Sequence, residues 1–241
     1  MIRLLLFLII SSYIWPETGR LDRDPVDYSY TNLGLKLSSA GEYENFSFFG
    51  SVALPGPLYA TFSNEAVNAS IKERNDSYDF NYDKTVQSLR LGAHIGIGDL
   101  LSSVSVGSVA LNISNFMDVY IEAGARTFNL ESDRKVSTDD KSFANVIAGV
   151  RFGDSNDWEG KIFLDFSKEV EEENSFIDFS ECDQDEICLN EGIDIQFSDE
   201  TDRKLGFDIQ YNAARYFGVN FGIKTSQYLE TEYFFGLQLQ Y

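Results

Sequence analysis

Residues 232–241 alternate without a break. Tyr233, Phe235, Leu237, Leu239 and Tyr241 fall on one side of an extended chain, and Phe234, Gly236, Gln238 and Gln240 on the other. A two-residue period belongs to strands, whose successive side chains point to opposite faces. One face here is wholly apolar, and the other is mostly small or polar. A soluble protein has little use for such a strand. A closed barrel in a membrane uses both faces, because the apolar one meets lipid and the polar one lines the interior.

The same alternation recurs along the chain and marks ten candidate strands: roughly Tyr28–Leu37, Phe46–Leu54, Leu58–Asn64, Val86–Ile97, Asp118–Phe128, Phe143–Phe152, Gly160–Ser167, Lys204–Asn212, Tyr216–Thr225 and Glu232–Tyr241. Connections at Pro55-Gly56-Pro57, Gly153–Asp157 and Ala213–Arg215 are short. Longer polar segments fall between them, at about 65–85, 129–142 and 168–203. Short turns on one side and long loops on the other are the habit of transmembrane barrels. The expected fold is an all-β, up-and-down antiparallel transmembrane barrel of about ten strands, with eight to twelve the range. An even count leaves both termini on the periplasmic side. Residues 99–117 break the rhythm. They extend two neighbouring strands, add a hairpin that raises the count to twelve, or fold as an excursion at the periplasmic end.

With its terminal Gly236-x-x-Leu239-x-Tyr241, its hairpin Val52-Ala53-Leu54-Pro55-Gly56-Pro57-Leu58-Tyr59 and its strand Leu89-Arg90-Leu91-Gly92-Ala93-His94, the chain resembles the small bacterial outer-membrane barrels of the OmpA/OmpX type and related porin-like proteins. The resemblance covers most of residues 28–241 and concerns architecture. It implies a bacterial outer-membrane location, with outer-membrane lipid around the barrel. It also implies that Gly236, Leu239 and Tyr241 form the signal read by the barrel-assembly machinery. Phe234 departs from the polar residue usual two positions before the glycine.

The first residues fit export. Met1-Ile2-Arg3 is followed by an unbroken apolar run, Leu4 to Ile10, then Ser11-Ser12. This has the layout of a secretory signal peptide, about 1–19, with cleavage in the window Ser12 to Gly19. The run is too short to cross a bilayer as a helix, which takes ~20 residues. The barrel domain then spans about 26–241. Mean hydropathy is −0.22, unlike a helical membrane protein. A net charge of −20 argues against nucleic acid as a partner. In an exported chain Cys182 and Cys188 read as one local disulfide.

If the apolar faces meet lipid, Lys36, Arg90, His94, Glu122, Arg126, Arg151, Lys161, Asp165, Asp208 and Lys224 face the lumen, with Gln238 and Gln240. Basic residues outnumber acidic ones there. Charges in so narrow a space must pair or stay wet. Two readings follow: an ion-paired plug, or a narrow passage favouring anions. Residues 168–204 hold 14 Asp or Glu against 3 Lys or Arg. They read as an acidic external loop stapled by the disulfide, and as a candidate for divalent cations. His94 is the chain's one histidine, and Asp139-Asp140 has no histidine near it. No catalytic set assembles, no cofactor or metal is implied, and the protein is expected to be a monomer without enzymatic activity. Aromatics near strand ends (Tyr28, Tyr30, Trp158, Tyr211, Tyr216 and Tyr241 at one level; Tyr43, Phe62, Phe128, Tyr228 and Tyr233 at the other) fit interfacial girdles. Alternation alone does not tell inside from outside, so a soluble lipocalin-like barrel or sandwich stays open. The expected role is structural or surface-interacting in the envelope. The alternatives are a narrow porin-like channel and, third, a lipid-modifying enzyme.

Overall fold

The computed structural model describes residues 28–41, 43–72, 79–102, 117–132, 141–168, 170–171, 196–197, 200–214, 216–227 and 230–241. The expected signal peptide, Asp139-Asp140, Cys182 and Cys188 lie outside the described residues, as does most of the acidic loop.

Ten strands form one closed barrel: β1 (Asn32–Ala40), β2 (Tyr43–Ala53), β3 (Leu58–Lys72), β4 (Asp79–Gly96), β5 (Met117–Ser132), β6 (Lys141–Gly153), β7 (Trp158–Ser167), β10 (Asp202–Ala214), β11 (Phe217–Thr225) and β12 (Glu232–Gln240). Each pairs antiparallel with its neighbours, and β12 closes on β1, with Asn32 opposite Gln240 and Ser39 opposite Tyr233. A two-residue pair, β8 (Val170–Glu171) with β9 (Gln196–Phe197), lies outside the barrel.

The alternation seen in sequence is resolved with the apolar side outward. Along β10 buried and exposed residues alternate for most of its length. Lys204 and Gln210 are each 1% exposed, whereas Leu89 and Leu91 on β4 are each 67% exposed. A soluble barrel has the opposite polarity, so the lipocalin-like alternative is excluded. The belt Leu35, Leu37, Phe46, Phe48, Ile121, Leu164, Leu205, Phe221, Phe235 and Leu237 exposes large apolar side chains on all sides. A monomer in water rarely shows so much apolar surface. A bilayer is the solvent that such a surface fits.

At the short-turn end, Gly56 adopts φ +74° between two prolines, and Leu54 N–H donates to Leu58 O across the turn at 2.8 Å. Between β6 and β7, Gly153 takes φ +100°, and Asp154 accepts from Asn156 N–H at 2.8 Å. On the inner wall, aromatic rings lie flat over glycines of the adjoining strand, Tyr59 on Gly92 and Phe163 on Gly206. A Cβ on either glycine would overlap the ring.

Four expectations change. β3 and β4 run on to Lys72 and back from Asp79, in register from Asn64↔Gln87 to Lys72↔Asp79. Beyond the lipid a strand needs only its backbone ladder, so loss of the apolar alternation does not end it. β4 pairs directly with β5, and Ile97–Ser102 is a helical turn, α1, rather than the start of another strand. The twelve-strand alternative is thereby closed, while residues 103–116 lie outside the described set. Tyr28 and Tyr30 are not girdle residues: β1 begins at Asn32, and both rings are buried in the barrel mouth. Phe128 also points inward, 1% exposed, because it shares the even-numbered parity of Arg126 on β5.

Candidate functional site

The barrel interior holds the polar side chains, and they sort into layers. At the short-turn mouth, residues Tyr28–Thr31 bend across the opening instead of continuing β1. Tyr30 stacks on His94 with centroids 3.8 Å apart and packs against Tyr59 at 4.6 Å. Its hydroxyl donates to Asp118 Oδ2 at 3.1 Å, the oxygen that lies 3.2 Å from His94 Nδ1. Tyr28 donates to Gly153 O at 3.0 Å, and Ser29 Oγ donates to Tyr241 O at 2.6 Å. The Arg151 guanidinium lies over both tyrosine rings, donates to Ser29 O at 2.9 Å and pairs with Glu159. Burial pushes the Tyr28 phenol up to about 12, with Arg151 pulling the other way. Both mouth tyrosines therefore stay neutral hydrogen-bond donors across the ordinary pH range. Beside them Gln238 donates to Gln210, and Gln210 and Gln240 both donate to Asn212 Oδ1.

In the middle, Arg90 Nε donates to Glu122 Oε2 at 2.7 Å and Nη1 to Asn145 Oδ1 at 3.1 Å. Asn145 donates in turn to Asp165 at 2.6 Å. Tyr59 donates to the other oxygen of Glu122 at 3.1 Å. Lys161, Asp208 and Asn220 complete this level and line a cavity of about 250 Å³. One water needs only ~10–15 Å³ of such space, so the cavity takes a cluster.

At the long-connection end, Arg126 lies 3.6 Å from Glu65. Lys224 and Lys36 share Glu232, at 2.6 and 3.9 Å. Lys204 lies 3.8 Å from the fully buried Asp202. A second cavity of about 70 Å³ lies here. Glu65, Arg126 and Lys224 border both cavities, so this layer is the partition between them.

All ten charged residues assigned to the lumen from sequence are thus found inside the barrel, spread over the three layers. Seven others share the space: Glu65, Lys84, Asp118, Glu159, Asp202, Lys204 and Glu232. The parity that selects Glu122 also selects Asp118, and the parity of Asp208 selects Asp202 and Lys204. Glu65 and Lys84 required knowing that β3 and β4 outrun the apolar band. With them the named wall charges, histidine aside, balance at eight of each sign. Around the larger cavity six Lys or Arg face four carboxylates, and around the smaller one four face three. Of the proposed assembly signal, Leu239 and Tyr241 are exposed on the outer face. Gly236 is buried on the inner one, against Asn220. Among the described residues, no group of three or more His, Cys, Asp or Glu gathers as metal ligands.

No protein-family profile matches the chain, and no curated protein matches it. Among solved structures, the chain is similar to the KdgM porin at 7% identity, with a TM-score of 0.43, over 87% of this chain and 99% of that one. It is similar to the NanC porin at 10% identity, with a TM-score of 0.40, over 88% of this chain and 100% of that one. The beta domain of the Bordetella autotransporter BrkA matches at 9% identity and a TM-score of 0.35, covering 88% and 100%.

Proposed function

We propose that this is an outer-membrane barrel whose interior serves as a narrow, anion-favouring passage for small solutes, held shut at the short-turn mouth in the conformation described. The observation that carries the reading is the larger cavity. It is a polar, hydratable space at mid-barrel, with six cationic side chains against four carboxylates on its wall. A barrel serving only as a scaffold has no need to keep such a space, because side chains can fill an interior of this width. Positive charge along a path sets a preference for anions. The apolar belt supports placement in a bilayer. The even strand count, with Asn32 and Gln240 paired at the short-turn end, supports a periplasmic position for that mouth.

Planar-bilayer recording of the refolded protein in a potassium chloride gradient tests this. The expected record shows small conductance steps, with a reversal potential on the chloride side of zero. A silent bilayer, or a preference for potassium, would overturn it. The paired layers at both ends of the cavity favour a second reading, a structural or surface-interacting envelope barrel with a filled core. Silence under all voltages is the result that this reading expects.

A further inference from the structure

Within the larger cavity one cation stands apart. Lys36, Arg90, Arg126, Arg151 and Lys224 each have a carboxylate at ion-pair distance. Lys161 lines the same space, and no carboxylate among the described residues pairs with it. Its cross-strand neighbour is Asp208, which is 8% exposed and whose Oδ1 is buried without a hydrogen bond. On the next strand Asn220, 5% exposed, also has a buried Oδ1 with no donor. It stands opposite Gln210, one inward-facing position along β10 from Asp208. All three side chains border the cavity.

The site therefore offers one ammonium group in want of acceptors and two buried oxygens in want of donors. Buried polar groups are rarely left so. Chloride would serve Lys161 but present no proton to the two oxygens. A metal cation would serve the oxygens but meet Lys161 and the surrounding excess of positive charge. A fully deprotonated oxyanion such as sulfate would set its own lone pairs against Asp208 and Asn220. An oxyanion that keeps a proton can serve both kinds of partner. Its charged oxygens accept from Lys161, and its hydroxyl donates to the Asp208 carboxylate or to Asn220.

We propose that Lys161, Asp208 and Asn220 form a binding site for a small protonated oxyanion, hydrogen phosphate being the simplest. This rests on reading the cavity as the anion-accepting part of the interior. A site built to receive a hydrogen bond discriminates strongly against an analogue that cannot give one.

Calorimetric titration of the full-length refolded protein in detergent tests the site, with sodium phosphate and sodium sulfate at pH 7 and matched ionic strength. Saturable one-to-one phosphate binding is expected, with sulfate at least about tenfold weaker. Lys161→Gln should weaken phosphate by a similar factor, and Lys161→Arg should keep it. Asp208→Asn should narrow the gap between the two ions, because an amide can donate to sulfate. Equal affinity for both ions, unchanged binding in Lys161→Gln, or no saturable heat at all would each overturn the site and leave the cavity to water. Because binding is read at equilibrium, it is separable from conduction. A silent bilayer with phosphate-selective binding sinks the passage and keeps the site. Conduction without that selectivity does the reverse.

Discussion

Arg151 shows how much one side chain holds at the mouth. It is 3% exposed, pairs with Glu159, donates to the Ser29 carbonyl and covers the rings of Tyr28 and Tyr30. Removing one member of a buried ion pair leaves the other charge uncompensated, at a cost of about 3–5 kcal/mol, whereas removing both is far milder. Arg151→Met should therefore destabilise the barrel by that amount. The double variant Arg151→Met with Glu159→Gln should recover most of it. Urea unfolding in lipid vesicles, followed through Trp158 next to Glu159, measures both. Equal losses in the single and double variants would mean that the ring contacts, not the charge pair, dominate. Arg151 was legible in sequence as a lumen residue because it shares the parity of Gly149 and Asn145. Its partners were not legible. Ser29 is 122 residues away and belongs to a stretch that alternation assigned to a strand.

At the scale of elements, the segment Tyr28–Thr31 is the part that covers the short-turn mouth. Tyr-Ser-Tyr-Thr alternates as well as any strand, so nothing local separates it from β1. The difference is tertiary: Tyr30 gains His94, Asp118 and Tyr59 only once β3, β4 and β5 stand around the mouth. Tyr30→Ala removes the stacked ring and leaves the remaining hydrogen bonds of the segment to hold it alone. The expected outcome in planar bilayers is a larger or longer-lived open level than in the parent protein. An unchanged record would place the constriction elsewhere, with the Glu65–Arg126–Lys224 layer the next to alter. The long hairpin β3–β4 teaches the complementary lesson. Apolar alternation in sequence reports where lipid is, and the ladder from Asn64 to Lys72 continues where lipid has ended.

For the whole molecule, inside and outside are reversed relative to a water-soluble barrel, and stability depends on which face a substitution meets. Leu91 sits in the apolar belt, 67% exposed. Leu91→Arg should cost about 2–4 kcal/mol in vesicles, the range for a charge on the lipid face near mid-bilayer. Gln238→Glu, on the inner wall, should cost less. Comparative unfolding in the same vesicles decides, and equal costs would argue that the belt does not face lipid. The architecture was readable because a two-residue period survives any amount of divergence in residue identity. The balance of interior charge was not readable. It depends on Glu65, Lys84 and Glu159, whose inclusion requires knowing where each strand stops.

The hydrogen bond from Ser29 to Tyr241 joins residues 212 positions apart, and the amide of Tyr241 reaches the Thr31 carbonyl beside it at 3.0 Å. Neither contact can exist before β12 has docked on β1. The mouth is thus latched by the same event that completes the cylinder, so any half-assembled sheet remains unlatched. During biogenesis the interior stays open to water until its last seam is made, and the wall charges can find their partners while still hydrated.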